Sequence, residues 1–535
     1  MDLQALESVR DQVWLFAACV LGLVALLLTI RLKAPQWRLL GRGFRALRAP
    51  AKEGSAPGIV TTLAAVSNVG AAGVVGAATA VSLGGAGVLP YLWIFGIALA
   101  PLAYAETWLA RTDAPGQSEV EKSGSLPRRL ARMGERWRLP AFVLTALIVT
   151  TGFGFAAVHG EALADVTAAL LPGSTLALVG GTAAVGAIIV LAGERARSLA
   201  GWLGAAGLLV VIAAAIWAIA SDFGGSVAVL GQAFGSAFEG APRFEEFTGA
   251  FAGEIAFAAV AYLLPPLGST LGSAGGVHSL SGGRTRDQAA LSVVAPLIYA
   301  VVATLLVMAF VGTGVFGQRF EDRRGIAETR IQSLSAASRE QRVEEERSYD
   351  GLVRIMEGAT RNPGLSVATA RGMVSSPLFE ENGEPADIAL RVDHGRVFEV
   401  LKPGRFGALS PQDASEIRNI EVVGEMLPTG GSLVTHTLTE GASELAARFA
   451  LAGLLALAAV AFAVWGFALS RSVPGEIKPP LQIALGILPA AGAALAVALS
   501  LPWIALVGSI AAGITAIVSA LLLLLLSKEV AERHR

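Results

Sequence analysis

The chain has little charge, almost no cysteine and few histidines, and each shortage excludes a class of protein. Charged residues make up 16% of the 535 residues, against ~25% in typical soluble domains. A single cysteine, Cys19, excludes an intramolecular disulfide. Five scattered histidines form no cluster of the kind that a zinc module needs. A net charge of −1 gives no electrostatic basis for a nucleic-acid partner.

The chain is instead rich in apolar residues and in glycine. Hydrophobic residues account for 54% of it, glycine contributes 62 residues, and the mean hydropathy is +0.61. These values exclude a soluble globular domain, a coiled coil and a disordered chain. They indicate a polytopic, all-α membrane protein embedded in a lipid bilayer.

Charge is concentrated in one window of the chain. Residues 317–445 hold 36 of the 83 charged residues. We therefore predict a water-soluble insertion at 317–445, with membrane helices before it (1–316) and after it (446–535). In the insertion, helical spacing over 324–360 predicts a helix, and alternation over 386–402 predicts a hairpin. Further strands are expected near 417–423 and 432–439. The pattern therefore predicts that the insertion is a small α+β domain.

Eleven apolar segments are long enough to cross a membrane as helices, which takes ~20 residues each. We number them spans 1 to 11, at roughly 13–30, 58–84, 88–110, 141–161, 173–193, 198–220, 251–275, 288–316, 446–470, 479–499 and 502–526.

Lys and Arg predict the orientation of these spans. Outside the insertion, 23 of the 26 Lys and Arg residues lie in loops and a C-terminal tail that the eleven spans place on the same side of the membrane. Basic loops stay in the cytoplasm. The prediction is a multi-pass protein of a bacterial-type inner membrane. Its N-terminus and residues 317–445 lie outside, and its C-terminus is cytoplasmic.

Two spans contain glycine and proline where a helix would break. Span 2 contains Gly70 and Gly73, and span 7 contains Pro265-Pro266 followed by Gly268. Interrupted helices at corresponding positions of two halves predict a transporter built from inverted repeats, here spans 2–6 and 7–11. The alternative is small-residue packing between helices.

The same stretches resemble a known family. SNVGAAGVVGAATAVSLGGAGVLPYLWIFGIALAPLAYAETWLA and GSTLGSAGGVHSL are similar, in order and spacing, to signature segments of the alanine or glycine:cation symporter family. The resemblance covers nearly the whole chain except about 317–434. It implies the five-plus-five inverted-repeat fold of the amino acid–polyamine–organocation superfamily, with helices broken in spans 2 and 7. It also implies import of alanine or glycine with a cation.

The resemblance further implies where substrate and ion bind. Helix-end amides at the span 2 break would hold the substrate carboxylate. A tryptophan of span 9 would form one side of the binding site. The implied substrate-binding residues are Val69, Gly70, Ala71, Ala72, Gly73, Gly272, Ser273 and Trp465. The implied ion-binding positions are Ser67, Asn68, Val460 and Ala461. Family members carry a Ser/Thr pair at the last two, so the sodium site has lost side-chain ligands here.

His159 and Glu161, near the outer end of span 4, are candidates for proton coupling, because titratable groups beside a transport path can carry protons. The simpler alternative is the start of a solvated loop, since Asp165 follows closely. The coupling ion is therefore Na⁺ or H⁺. No other cofactor and no resident metal site is expected.

Two functions remain open on the sequence. One is a secondary carrier of small amino acids, and the other is a carrier-like scaffold or sensor that no longer transports and acts through residues 317–445. The chain has no G-x-x-x-x-G-K-[ST] motif, so a primary pump is not expected. The sequence predicts no oligomeric state.

Overall fold

A computed structural model of the chain has a large helical unit and a smaller β unit. It describes residues 3–48, 70–111, 125–171, 173–192, 194–238, 259–268, 271, 285–318, 320–326, 329–333, 347–360, 365–369, 372–393, 396–403, 409–411, 420–428, 430–474 and 478–534. The helical unit runs to residue 313 and resumes at Gly430, and the β unit includes Gly314–Thr429.

Each of the eleven predicted spans contains a described helix, although span 2 is described only from Gly70 and span 7 only over nine helical residues. In order, the helices are Leu3–Arg31, Gly70–Gly84, Val88–Arg111, Arg138–Leu170, Thr175–Leu191, Glu194–Ser221, Val260–Gly268, Thr285–Gly312, Glu444–Ser472, Pro479–Ala498 and Pro502–His534. Among the described residues, eight helices are long and apolar enough to cross a membrane. One of these, Gly70–Ala110, contains both span 2 and span 3, and Thr175–Leu191 is a shorter apolar helix. The prediction of a polytopic all-α membrane protein is confirmed.

Shorter helices lie between the spans. They are Pro35–Arg38, Leu40–Leu47, Leu126–Arg132, Phe223–Phe238 and Gly430–Gly441. Serines begin two of the helices of this unit. The side chain of Ser125 accepts a hydrogen bond from the amide of Arg128, and that of Ser443 from the amide of Ala446. Both satisfy first-turn amides that have no partner within the helix.

The described helix of span 7 lies within the predicted bounds of 251–275 and includes both prolines. The helix passes through Pro265 and Pro266 and ends at Gly268, so the two prolines are not themselves the break. Proline has no amide hydrogen, so the intrahelical bonds from these positions to the carbonyls of Ala261 and Tyr262 cannot form. Residues 272–284, which follow, lie outside the described part.

Small residues let the helices of this unit approach closely. A Cβ atom added to Gly154 of span 4 would overlap the backbone of Gly508 in span 11, and one added to Gly466 of span 9 would overlap the backbone of Gly486 in span 10. Such contacts bring backbones together without a large side chain between them, as is usual for helices packed in a membrane.

The β unit contains two antiparallel sheets. Its strands are β1 (Phe320–Gly325), β2 (Thr329–Ser333), β3 (Arg347–Ser348), β4 (Gly351–Met356), β5 (Ala359–Thr360), β6 (Leu365–Thr369), β7 (Gly372–Glu381), β8 (Glu384–Pro385), β9 (Ile388–Asp393), β10 (Arg396–Pro403), β11 (Leu409–Pro411) and β12 (Ile420–Met426). One sheet has the order β1-β12-β7-β6-β2-β3, with β8 paired to β7. The other has the order β11-β10-β9-β4-β5.

The two sheets share one apolar core. It includes Ile326, Val353, Leu390, Val400 and Ile420, each at most 1% exposed. The predicted hairpin is confirmed, because β9 and β10 pair with Asp393 opposite Arg396. The strand expected near 417–423 is also present, as β12.

Two element predictions in the insertion are wrong. The helix expected over 324–360 is replaced, wherever these residues are described, by β1 to β5. Burial along β4 alternates, with Val353 and Ile355 inward, so the period is that of a strand. The strand expected at 432–439 lies in the helix Gly430–Gly441. Leu433, Val434 and Leu438 of that helix are buried in the helical unit, and this burial outweighs the local β-propensity of the segment.

Candidate functional site

The site begins at Gly70, where the described part of span 2 starts. Gly70 has a φ of +56°, a left-handed conformation that glycine adopts far more easily than other residues. Gly70, Ala71, Ala72 and Gly73 are all buried. The first amides of a helix have no intrahelical acceptor, so this turn presents backbone donors inside the protein.

The imidazole of His159 lies directly against this turn. The amide of Ala72 donates a hydrogen bond to Nδ1 of His159, at 3.3 Å. A Cβ atom on Gly70 would lie 2.5 Å from both Nδ1 and Cε1 of His159. Glycine at position 70 is therefore required by both the backbone conformation and the space that the ring leaves.

The expectation that His159 starts a solvated loop is wrong. The span 4 helix runs from Arg138 to Leu170, well beyond the predicted end at 161, and His159 within it is 0% exposed. Polar residues at the end of an apolar run usually mark a helix end, but this helix extends past them. The ring is buried because span 2 and span 9 both pack against span 4.

Aromatic rings and small residues form the remaining described walls. The ring of His159 meets those of Phe155 and Phe462 edge-on, with centroids 5.2 and 6.3 Å away. Ala461 of span 9 contributes a methyl group 3.5 Å from the position of a Cβ on Gly70. The space beside the span 2 turn is therefore narrow and apolar.

Trp465 lies one helical turn beyond Ala461 on span 9. Positions four apart in a helix share a face, and Trp465 is 1% exposed. Among the described residues, neither Nε1 of Trp465 nor Nε2 of His159 has a hydrogen-bond partner. Buried side-chain nitrogens usually have one, so two polar atoms in this region are available to a ligand.

The described part of the site offers little to a cation. Val460 and Ala461 are fully buried, and neither side chain carries an oxygen. Groups of three or more His, Cys, Asp or Glu that could hold a metal are absent from the described ranges. The span 9 positions therefore supply no side-chain ligand for sodium.

Other predicted residues fall outside this geometry. Ser67, Asn68, Val69, Gly272 and Ser273 lie outside the described residues. Glu161 is described and half-buried, but it follows His159 by two positions in the same helix. Side chains two apart on a helix do not face each other. The proposed titratable pair therefore does not project in one direction.

Sequence reasoning missed Phe155 and Phe462, the two rings that enclose the imidazole. The signal for Phe155 was available, because it precedes His159 by four positions and so shares its helical face. Phe462 is in a nearly uniform apolar run of span 9. Nothing in that run distinguishes the residue that contacts His159.

A polytopic helical unit with a helix start buried in its core is a feature that many secondary transporters share. The chain matches the sodium:alanine symporter family over residues 2–329, which is more than half of its length. It belongs to that family, so the resemblance seen in the sequence is confirmed, and with it the assignment to membrane symport. A search of curated proteins finds no match for the chain.

Proposed function

We propose that the protein is a secondary active transporter that imports small neutral amino acids, alanine or glycine, by cation symport. The observation that carries the proposal is the buried start of span 2 at Gly70, with amide donors inside the helical unit. A helix N-terminus carries partial positive charge and favours an anion. A substrate carboxylate is the group that this turn suits.

The walls of the site support a small substrate. Gly70 and Ala461 place no large side chain at the span 2 turn, and the rings of His159, Phe155 and Phe462 keep the space beside it narrow. A hydrogen atom or a methyl group as the substrate side chain fits these surroundings better than a larger group does.

We also propose that coupling to sodium is weak. Removing sodium from water requires oxygen ligands in its place, and Val460 and Ala461 offer none. Even one uncompensated polar group in an apolar site costs ~2–7 kcal/mol. For a proton-coupled cycle, His159 and Glu161 are the span 4 candidates, and each would act by itself because the two side chains project in different directions.

Uptake into proteoliposomes tests this function. Purified protein in vesicles is given labelled alanine or glycine under an inward sodium gradient, an inward proton gradient, or neither, at fixed ionic strength. We expect uptake above that of protein-free vesicles, with at most a small increase from sodium. A steep sodium dependence in the low millimolar range contradicts the weak-coupling proposal. No uptake and no binding of either amino acid contradicts the carrier itself.

A second candidate function is a scaffold or sensor that acts through the β unit. The observation that favours it is a folded domain with its own apolar core, most of which lies beyond residue 329, where the family match ends. Deleting residues 320–426 distinguishes the two functions. A carrier that does not need the β unit for transport keeps its amino acid uptake after the deletion.

A further inference from the structure

We propose that Nε2–H of His159 is a side-chain donor that binds the substrate carboxylate, while Nδ1 of the same ring holds the start of span 2. This rests on the proposed function, because it names the group that recognises the substrate in that site. The imidazole would then connect the helix end to the substrate through one ring. The Ala72 amide would act on the carboxylate through the imidazole, instead of binding it directly.

The hydrogen bond from Ala72 determines which ring nitrogen carries the proton. Nδ1 of His159 accepts that bond, and a nitrogen that accepts a hydrogen bond has no hydrogen of its own. In the neutral imidazole the single proton is then on Nε2. The doubly protonated ring could not accept the Ala72 amide at all. Nε2 is therefore a donor, and it has no acceptor among the described residues.

The surroundings of His159 favour an anionic partner for this donor. The ring lies at the N-terminal turn of span 2, the positive end of that helix. The Gly70–Gly84 helix has no charged residue, and the charged residues of the span 9 helix lie near its ends. On span 4 itself, Glu161 is two positions away and directed elsewhere. A substrate ammonium group has no reason to approach an N–H donor, whereas a carboxylate does.

Trp465 supplies a second donor of the same kind. Its Nε1–H is buried and has no acceptor within the described part of the chain. It lies on the span 9 face that Ala461 and Phe462 bring to His159. A carboxylate has two oxygens and about four acceptor positions, so it can satisfy both donors, which an amine or an alkyl group cannot.

Two substitutions separate the two roles of the ring. The amide group of asparagine occupies the position of Nδ1, so His159→Asn keeps an acceptor for Ala72 and loses the donor at Nε2. Glutamine reaches the position of Nε2, so His159→Gln keeps the donor and loses the cap. Trp465→Phe removes the second donor and keeps an aromatic ring.

Binding of labelled alanine to the purified full-length protein, with propionate and ethylamine as competitors, is the main measurement. We expect His159→Asn to weaken alanine binding by about 10- to 100-fold, the usual effect of losing a hydrogen bond to a charged group. His159→Gln should keep affinity within about threefold but melt earlier. Trp465→Phe should weaken binding without earlier melting. Propionate should compete, and ethylamine should not.

The outcomes separate this inference from the proposed function. Suppose that alanine binds, and that the His159→Asn variant binds it as well as the unmodified protein does. His159 then only accepts the Ala72 amide at the start of span 2, so this inference fails while the proposed carrier function is unaffected. If alanine and glycine do not bind but labelled propionate does, and His159→Asn abolishes that binding, the amino acid assignment fails and the inference stands. If none of the three carboxylates binds, both fail.

The tautomer gives a test that needs no substrate. Nitrogen-15 spectra of histidine-labelled protein in bilayers report which ring nitrogen carries hydrogen, and His159→Gln identifies the signals of this residue. We expect a proton on Nε2 and none on Nδ1. A proton on Nδ1 overturns the inference whatever the transport assay shows.

Discussion

At the scale of single residues, the site depends on one glycine and one histidine that fit together. Gly70 adopts a left-handed conformation, and the ring of His159 occupies the space where its side chain would be. His159 in turn is fixed by the Ala72 amide and two aromatic edges. A change at either residue therefore acts on the same few atoms.

Gly70→Ala should abolish alanine binding and lower stability. A left-handed conformation costs a non-glycine residue roughly 1–2 kcal/mol, and the new methyl group would also displace His159. Gly85→Ala is the matched control, since Gly85 has a φ of +54° but no neighbour within 4 Å of a Cβ. Melting and binding measurements on both variants separate strain from overlap. Equal effects at the two positions would show that His159 does not matter at Gly70.

Restoring hydroxyls on span 9 should restore sodium dependence. Val460→Thr and Ala461→Ser together reintroduce the two side-chain oxygens that the family carries there, with little change in volume. Alanine uptake by the double variant should then rise with sodium concentration, whereas that of the unmodified protein should rise little. Lithium or choline at the same ionic strength is the control. A variant as insensitive to sodium as its parent would place the ion elsewhere.

At the scale of secondary-structure elements, small residues determine how closely helices pack. Gly154 and Gly508 bring the backbones of spans 4 and 11 into contact, and span 4 also carries His159. The position of the imidazole therefore depends on glycine contacts elsewhere along the same helix.

Gly154→Val should destabilise the helical unit by about 1–3 kcal/mol, the usual cost of overpacking a tightly packed core. Gly180→Val is the control, because a Cβ at Gly180 of span 5 meets nothing within 4 Å. Thermal melting of both variants in detergent gives the comparison. If the two variants melt at the same temperature, spans 4 and 11 are packed less closely at Gly154 than in the structure.

At the scale of the whole molecule, the prediction that matters most is orientation. The distribution of Lys and Arg among the loops predicts that the β unit lies outside the cytoplasm. The helical unit and the β unit are separately compact, so the β unit can be labelled without opening the helices.

Single cysteines in a Cys19→Ser background test the orientation. Glu384 is exposed in the β unit and Glu135 is exposed in a basic loop before span 4. Glu384→Cys should react with an impermeant thiol reagent on intact inner-membrane vesicles of right-side-out orientation. Glu135→Cys should react only after permeabilisation. The reverse pattern would invert the topology.

Local chemistry alone determined much of this protein. An apolar run of ~20 residues crosses a bilayer as a helix, because a helix satisfies every backbone amide within its own segment. That constraint predicts the eleven spans, and the glycines at positions 70 and 73 predict an interruption in span 2. The β9–β10 hairpin is also predicted by the sequence, because apolar and polar residues alternate on both sides of Asp393.

Contacts between distant segments decided the rest. Whether His159 is solvated or buried depends on where spans 2 and 9 pack, and nothing near residue 159 in the sequence encodes that. Residues 432–439 could form a strand or a helix by propensity, and burial of Leu433 and Leu438 made them a helix. Propensities differ by only ~1 kcal/mol, whereas burying one large apolar side chain contributes about 1.5–3 kcal/mol, so tertiary packing overrides the local preference.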